Sequence, residues 1–141
     1  MLKRVRDVMK RGVPTCQLDT PLVQVARQML RPNADAVVVV NEMGEVCGII
    51  SRTDLVRQHT QSHWATMRAE DVMTPSVFTI IPDIPVSAAA QLMLDNQIHQ
   101  LVILHARPAP QRPVGILTMR DVIQHMVEAL GEGPQTNVNA D

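Results

Sequence analysis

The chain has 141 residues, a length that suits one compact unit burying roughly two thirds of its unfolded surface. Lys+Arg number 13 against Asp+Glu 14, a formal net charge of −1, and that balance lacks the positive field that nucleic-acid or membrane-surface binders carry. One Phe, one Trp and no Tyr leave few platforms for stacking single-stranded bases.

In chain order, the first seven residues carry charges with no apolar stretch behind them, so they do not read as a signal peptide. The longest purely apolar run is 36–40, far short of the about 20 residues that a membrane span needs. Both features predict a soluble, cytoplasmic protein without membrane insertion. Residues 13–17 form a short strand-like run. Thr20-Pro21 has the form of an N-cap followed by proline at the first helical position, and Leu22, Val25, Ala26, Met29 and Leu30 then share one helical face. Residues 37–40 are a continuous apolar run of buried-strand type. Residues 42–45 read as a hairpin turn into 46–50, and a second helix follows over 54–59. Trp64, in the linker 58–70, is expected to cover an apolar seam. Residues 77–81 are again strand-like. Val86, Ala89, Ala90, Met93 and Leu94 repeat the helical face, preceded by Ile84, which cannot cap, beside Asp83, which can. Residues 101–104 and 114–117 are apolar strands, and Met119, Val122, Ile123, Met126, Val127 and Leu130 make an amphipathic stripe. The Gly- and Pro-bearing end, 131–141, is expected to be a disordered polar tail. Two cysteines 31 positions apart form no metal or redox motif and are read as small buried hydrophobes. His59 and His63 share a helical spacing but lack a further ligand of the right kind nearby.

The chain repeats itself. Asp7-Val8-Met9 recurs 64 positions on as Asp71-Val72-Met73, and the same shift pairs Val13 with Val77, Thr15 with Thr79 and Pro21 with Pro85. Beyond residue 41 the shift becomes 67, pairing Gly48-Ile49 with Gly115-Ile116 and Asp54 with Asp121. The three extra residues fall in the Pro-rich stretch 106–113, where insertion is cheap. The chain therefore divides into a first repeat (1–60), a linker and second repeat (61–130) and the tail (131–141). Neither repeat buries much alone, so the two are expected to pack face to face.

The sharpest motif is Gly48-Ile49-Ile50-Ser51-Arg52-Thr53-Asp54, echoed by Gly115-Ile116-Leu117-Thr118-Met119-Arg120-Asp121. Each is a strand ending in a hydroxyl residue, with a carboxylate three positions on at a helix start. This is a capping-box pattern. It is also a place where free N–H groups, the hydroxyl and Arg52 or Arg120 could meet a phosphate while the carboxylate accepts ribose hydroxyls. The motif occurs twice, in register, which favours the second role. No nucleophile–base arrangement and no Gly-rich phosphate loop is evident, so no catalytic residue is expected.

Taken in order and twice over, Asp-Val-Met, Val-x-Thr, the Pro-led helix, the apolar strand and Gly-hydrophobic-hydrophobic-Ser/Thr-x-x-Asp resemble the CBS domain family, named after cystathionine β-synthase. The resemblance covers residues 5–130. It implies a mixed α/β (α+β) fold in which two βαββα repeats, a Bateman module, pack pseudo-symmetrically through their sheets with two clefts between them. It implies adenosine ligands: AMP, ADP, ATP or S-adenosylmethionine. Asp54 and Asp121 would hold ribose, Ser51 and Thr118 would sit near phosphate, and the adenine would lie among Val13, Thr15 and Ile50 or among Val77, Thr79 and Leu117. His99, before the strand 101–104, fits the family's basic position, whereas the first repeat has the acid Asp35 there. The site of Asp121 is therefore expected to take phosphorylated ligands better, with phosphate neighbours drawn from either repeat. A homodimer and an effector protein on another chain complete the expected partners. The competing expectation is a ligand-free structural or dimerisation module whose two aspartates are only helix caps.

Overall fold

The computed structural model describes residues 2–31, 34–105 and 112–131. The expected tail from 132 onward and the insertion 106–111 lie outside the described residues.

The first repeat runs β2 (Thr15–Gln17), α2 (Leu22–Leu30), β3 (Ala36–Val40), β4 (Val46–Ser51) and α3 (Arg52–Val56). The second runs β5 (Thr79–Ile80), α5 (Val86–Asn96), β6 (Gln100–Leu104), β7 (Pro113–Thr118) and α6 (Met119–Glu128). Two short helices precede the repeats, α1 (Val5–Val8) with the strand β1 (Lys10–Arg11) before the first and α4 (Ala69–Val72) before the second. One sheet has the order β2-β3-β4, with β2 parallel and β4 antiparallel to β3. The other has the order β1-β7-β6-β5. Each repeat is thus the expected βαββα unit.

Strand alternation sorts the apolar runs into three cores. Val37, Val39 and Ile50 face Leu22, Val25 and Met29 of α2. Leu101, Ile103 and Leu117 face Ala89 and Met93 of α5. The opposite faces, with Val38, Val40 and Ile49 from one sheet and Val102, Leu104 and Ile116 from the other, close on each other as a third core. An apolar run buried on both faces needs no polar alternation, hence the all-valine stretch of β3.

The preceding segments cross over. Val5 and Met9 pack into the second repeat's core, and β1 pairs antiparallel with β7. Ala69, Met67 and Met73 pack into the first repeat's core, and Thr74 bridges Ile49 on β4. Asp7 and Asp71 accept the backbone N–H of Arg4 (3.0 Å) and Arg68 (2.9 Å), starting these short helices. Met9 and Met73 then lie over glycines of the other repeat. A Cβ on Gly115 would stand 2.7 Å from the Lys10 carbonyl and 2.9 Å from the Met9 sulfur, and one on Gly48 would stand 2.6 Å from the Met73 sulfur. The recurring Asp-Val-Met and Gly pairs are therefore two ends of one crossing contact.

Several local expectations shift. Both main helices start one residue later than expected, with Pro21 and Pro85 at the N-cap. The Thr20 hydroxyl instead accepts the Gln17 N–H (2.9 Å), and Asp83 pairs with Arg6 (2.6 Å) rather than capping. Helix α3 is one turn and continues as a 3₁₀ turn over Arg57–Thr60. Leu30 and Leu94, placed on the apolar faces by periodicity, are 86% and 62% exposed. Each follows the last buried methionine, Met29 or Met93, and one further step of about 100° carries it off the core side. The turn between β3 and β4 forms as read. Gly44 takes φ +83°, and the Asn41 side chain accepts the N–H groups of Met43 (2.8 Å) and Glu45 (3.0 Å). Cys16 is buried and its thiol is pushed up to about 11 by loss of solvation, whereas Cys47 is only half-buried. Both cysteines are free.

Candidate functional site

Both Ser/Thr-x-x-Asp turns form complete capping boxes. Ser51 N–H donates to Asp54 Oδ2 (2.8 Å), Ser51 Oγ donates to the same oxygen (3.0 Å), and Asp54 N–H donates back to Ser51 Oγ (3.2 Å). Thr118 and Asp121 repeat the three bonds at 2.8, 3.0 and 3.2 Å. The cap uses the Oδ2 lone pairs of each aspartate. Oδ1 keeps its own acceptor sites. The cap fixes the rotamer that presents Oδ1, so capping and accepting a diol are compatible uses of one side chain. Asp54 Oδ1 has Arg57 at 3.6 Å, and Asp121 Oδ1 has Lys10 at 3.9 Å.

Two clefts open between the sheets. The first, about 780 Å³, sets Ser51, Arg52 and Asp54 of the first repeat against Val77, His99 and Arg120 of the second. Its apolar wall comes from Ile49, Phe78, Ile98 and Val102. The second, about 550 Å³, joins Lys10, Val13 and Pro14 to Gln28, Ile116 and Thr118. Asp35, Gln100 and Thr118 line both and form the partition between them. Charge runs across that partition. Arg52 pairs with Asp35 Oδ1 (2.9 Å), and Lys10 lies 3.8 Å from Asp35 Oδ2 and 3.9 Å from Asp121.

The cleft linings mix the two repeats. In the first cleft, strand segment and aspartate come from different repeats. Val77 lies with Asp54, while Val13 shares its cleft with Lys10, the neighbour of Asp121. His99 and Arg120, expected beside Asp121, line the cleft of Asp54. Asp121 is 6% exposed and does not itself line either cleft. Ile50 and Leu117 are fully buried on the helix side of their sheets and line neither cleft. Strand parity explains why: Ser51 and Ile49 share one face, Thr118 and Ile116 another, and the residue between points away. Thr15 and Thr79 line neither cleft, and Thr15 instead offers its carbonyl to Gln28 Nε2 (3.0 Å). Sequence reasoning missed Ile49 and Ile116, which parity with the hydroxyl residues marks out. It also missed Lys10 and Phe78. Lys10 reaches Asp121 only through the crossing of β1, which no local pattern announces.

An apolar wall, a presented carboxylate and converging cations suit a ligand with a flat apolar ring, a vicinal diol and an anionic group. The comparisons with known proteins agree on the architecture. The family model for the CBS domain matches residues 5–59 and again 69–128. An uncharacterized protein of Methanopyrus kandleri is 33% identical over 122 residues, covering 85% of this chain and 61% of that protein. The chain spans 61%, 38% and 25% of the lengths of three curated relatives that it matches. The crystal structure of the CBS domain pair of protein MJ0100, in complex with 5′-methylthioadenosine and S-adenosyl-L-methionine, superposes with a TM-score of 0.82 at 23% identity, covering 92% of this chain and 99% of that one. The cytosolic domain of the Mg²⁺ channel MgtE in complex with ATP superposes with a TM-score of 0.68 at 26% identity, covering 82% of this chain and 46% of that one. Two matched repeats, each a βαββα unit joined sheet to sheet, mean that this chain belongs to the CBS domain family and is a CBS domain pair.

Proposed function

We propose that this CBS pair is a regulatory module that binds an adenosine ligand in the first cleft and passes its occupancy to a partner protein. The observation that carries the reading is the geometry around Asp54. Its Oδ2 carries a completed cap and leaves Oδ1 to Arg57 and to a ligand, with Arg52, His99, Arg120 and the apolar side chains of Ile49, Val77 and Phe78 lining the same cleft. The ring would lie against Ile49, Val77 and Phe78, the ribose at Asp54, and the phosphate among the cations. The adenosyl compounds and ATP held by the two solved relatives support that ligand class. AMP, ADP and ATP are the first candidates for this cleft, because the guanidinium groups of Arg52 and Arg120 favour an anion and the His99 imidazole can donate a hydrogen bond to it. S-adenosylmethionine is the alternative where Asp35 and Asp54 dominate. Among the described residues no helix is long and apolar enough to cross a membrane. A second copy is the proposed occupant of the outer face of α6, where Ile123 and Met126 are 59% and 60% exposed.

Calorimetry tests the ligand reading. Asp54→Asn should weaken AMP binding about ten- to a hundredfold, the loss of charge-assisted hydrogen bonds worth about 1.5–3 kcal/mol. Asp121→Asn should weaken the tighter step much less. The reverse order would return the phosphate to the side of Asp121. A ligand-free structural module is the second reading, in which the two aspartates serve only as the caps that both of them complete. Unchanged melting temperatures with AMP, ADP, ATP and S-adenosylmethionine would establish it.

A further inference from the structure

The two clefts share one carboxylate. Asp35 stands in the partition, half-buried, with Oδ1 on Arg52 of the first cleft (2.9 Å) and Oδ2 facing Lys10 of the second (3.8 Å). Lys10 is also 3.9 Å from Asp121, so the ions run Arg52, Asp35, Lys10, Asp121 from one cleft to the other. The arrangement has no internal counterpart. At the position equivalent to Asp35 the second repeat has His99, and at those equivalent to Arg52 and Lys10 the chain has Met119 and Thr74.

We propose that Asp35 couples the clefts, so that an anionic ligand in one weakens the binding of an anionic ligand in the other. The inference rests on the ligand-binding reading above, takes the second cleft beside Lys10 as a second ligand site, and adds the regulation between the two. A phosphate in the first cleft competes with Asp35 for Arg52. As the guanidinium turns to the phosphate, the Asp35 charge is left to Lys10. A Lys10 held by both Asp35 and Asp121 offers less to a second phosphate. Run the other way, a phosphate that takes Lys10 leaves Asp35 more firmly on Arg52. The two effects must be equal, because coupling between sites is reciprocal. A ligand without the anionic group makes no claim on Arg52 or Lys10, and one that interacts equally with both arrangements shifts nothing. Asp35 is a positioning residue in this scheme. It acts through two cations rather than on the ligand. Its side chain and that of Lys10 are 32% and 39% exposed, so the coupling is screened and modest, about three- to fivefold in affinity.

Calorimetry with AMP, and with adenosine as its uncharged partner, tests the proposal on the full chain. For AMP the unmodified protein should show two steps whose constants differ by about three- to fivefold more than Asp35→Asn shows. Asp35→Asn should bind the second AMP more tightly, Asp35→Glu should restore the separation, and added salt should shrink it. Adenosine should give the same separation in all three proteins. An equal AMP separation in the unmodified protein and Asp35→Asn, or an adenosine separation that also collapses in Asp35→Asn, overturns the coupling while leaving the ligand reading intact. So does a single AMP per chain. No binding of either compound to any of the proteins overturns both.

Discussion

The two halves of this molecule share a framework and differ in their charges. Ser51 and Asp54 superimpose in pattern on Thr118 and Asp121 down to the same three bond lengths. Gly48 sits under Met73 as Gly115 sits under Met9. Around that framework the equivalents diverge: Asp35 against His99, Arg52 against Met119, Lys10 against Thr74. The framework is held by packing and hydrogen bonds that tolerate little change, so the duplication persists there. The charged positions line the clefts, where a side chain can differ without disturbing a core. Pseudo-symmetry therefore builds two clefts, and its local failure makes them unequal.

The sharpest way to break the comparison is through parity. If Leu117 is core and not ligand wall, Leu117→Ala should cost about 2–5 kcal/mol in urea unfolding. AMP affinity of the folded fraction should then stay within about twofold, a shift of roughly 0.4 kcal/mol. A stable variant with lost binding would put Leu117 back in a cleft. The crossing contacts come next. Gly115→Ala drives a methyl against the Lys10 backbone carbonyl, whereas at Gly48 the nearest atom is the end of the flexible Met73 side chain. Overpacking of this kind costs about 1–3 kcal/mol. The Gly115 variant should sit at the upper end and the Gly48 variant below it in denaturant midpoint. Equal losses would mean that the β1 crossing is no more rigid than its counterpart.

The caps give a smaller difference. Ser51→Ala and Thr118→Ala each remove the acceptor of one helix N–H, worth about 0.5–2 kcal/mol. Thr118 is buried at 6% exposure and Ser51 is not, so the second-repeat loss should be the larger in thermal unfolding. Identical losses would make the two turns equivalent after all. The last contrast vanishes at neutral pH. Cys16 is neutral in the fold up to about 11 against an ordinary value of 9.0. It binds its proton more tightly folded than unfolded, so its contribution to stability is complete below pH 9.0 and fades as pH rises through about 11. Unfolding followed across that window should show a loss that Cys16→Ala lacks. At pH 8 iodoacetamide should label half-buried Cys47 well before Cys16.

Much of this was legible in the chain itself. The shifts of 64 and 67 expose the duplication, and the apolar strands 37–40 and 101–104 with the helical faces between them fix the βαββα unit. The capping residues Ser51, Asp54, Thr118 and Asp121 were legible because a cap is local, closed within four residues. Sequence reading failed where the relevant distance is long in the chain. It listed Val13 and Val77, His99 and the two aspartates as site residues without fixing which share a cleft, and the crossed packing sets Val77 and His99 with Asp54 and Val13 with Lys10. The family resemblance put Ile50 and Leu117 beside the adenine, whereas strand parity turns their side chains to the helix-side cores, one residue off the cleft-facing positions.

The sequence by itself determined the elements, their duplication and the hydroxyl–carboxylate turns, because each follows from hydrogen bonds and apolar periodicities spanning a few residues. Only the tertiary structure decided which residues share a cleft. That depends on how two sheets stack and on a short strand crossing from one repeat to the other, burying Val5 and Met9 in a core whose other members begin more than 70 residues later. The same crossing carries Lys10 to Asp121, and the stacking leaves Asp35 between two cations. Charges meet there through packing, which no local pattern encodes.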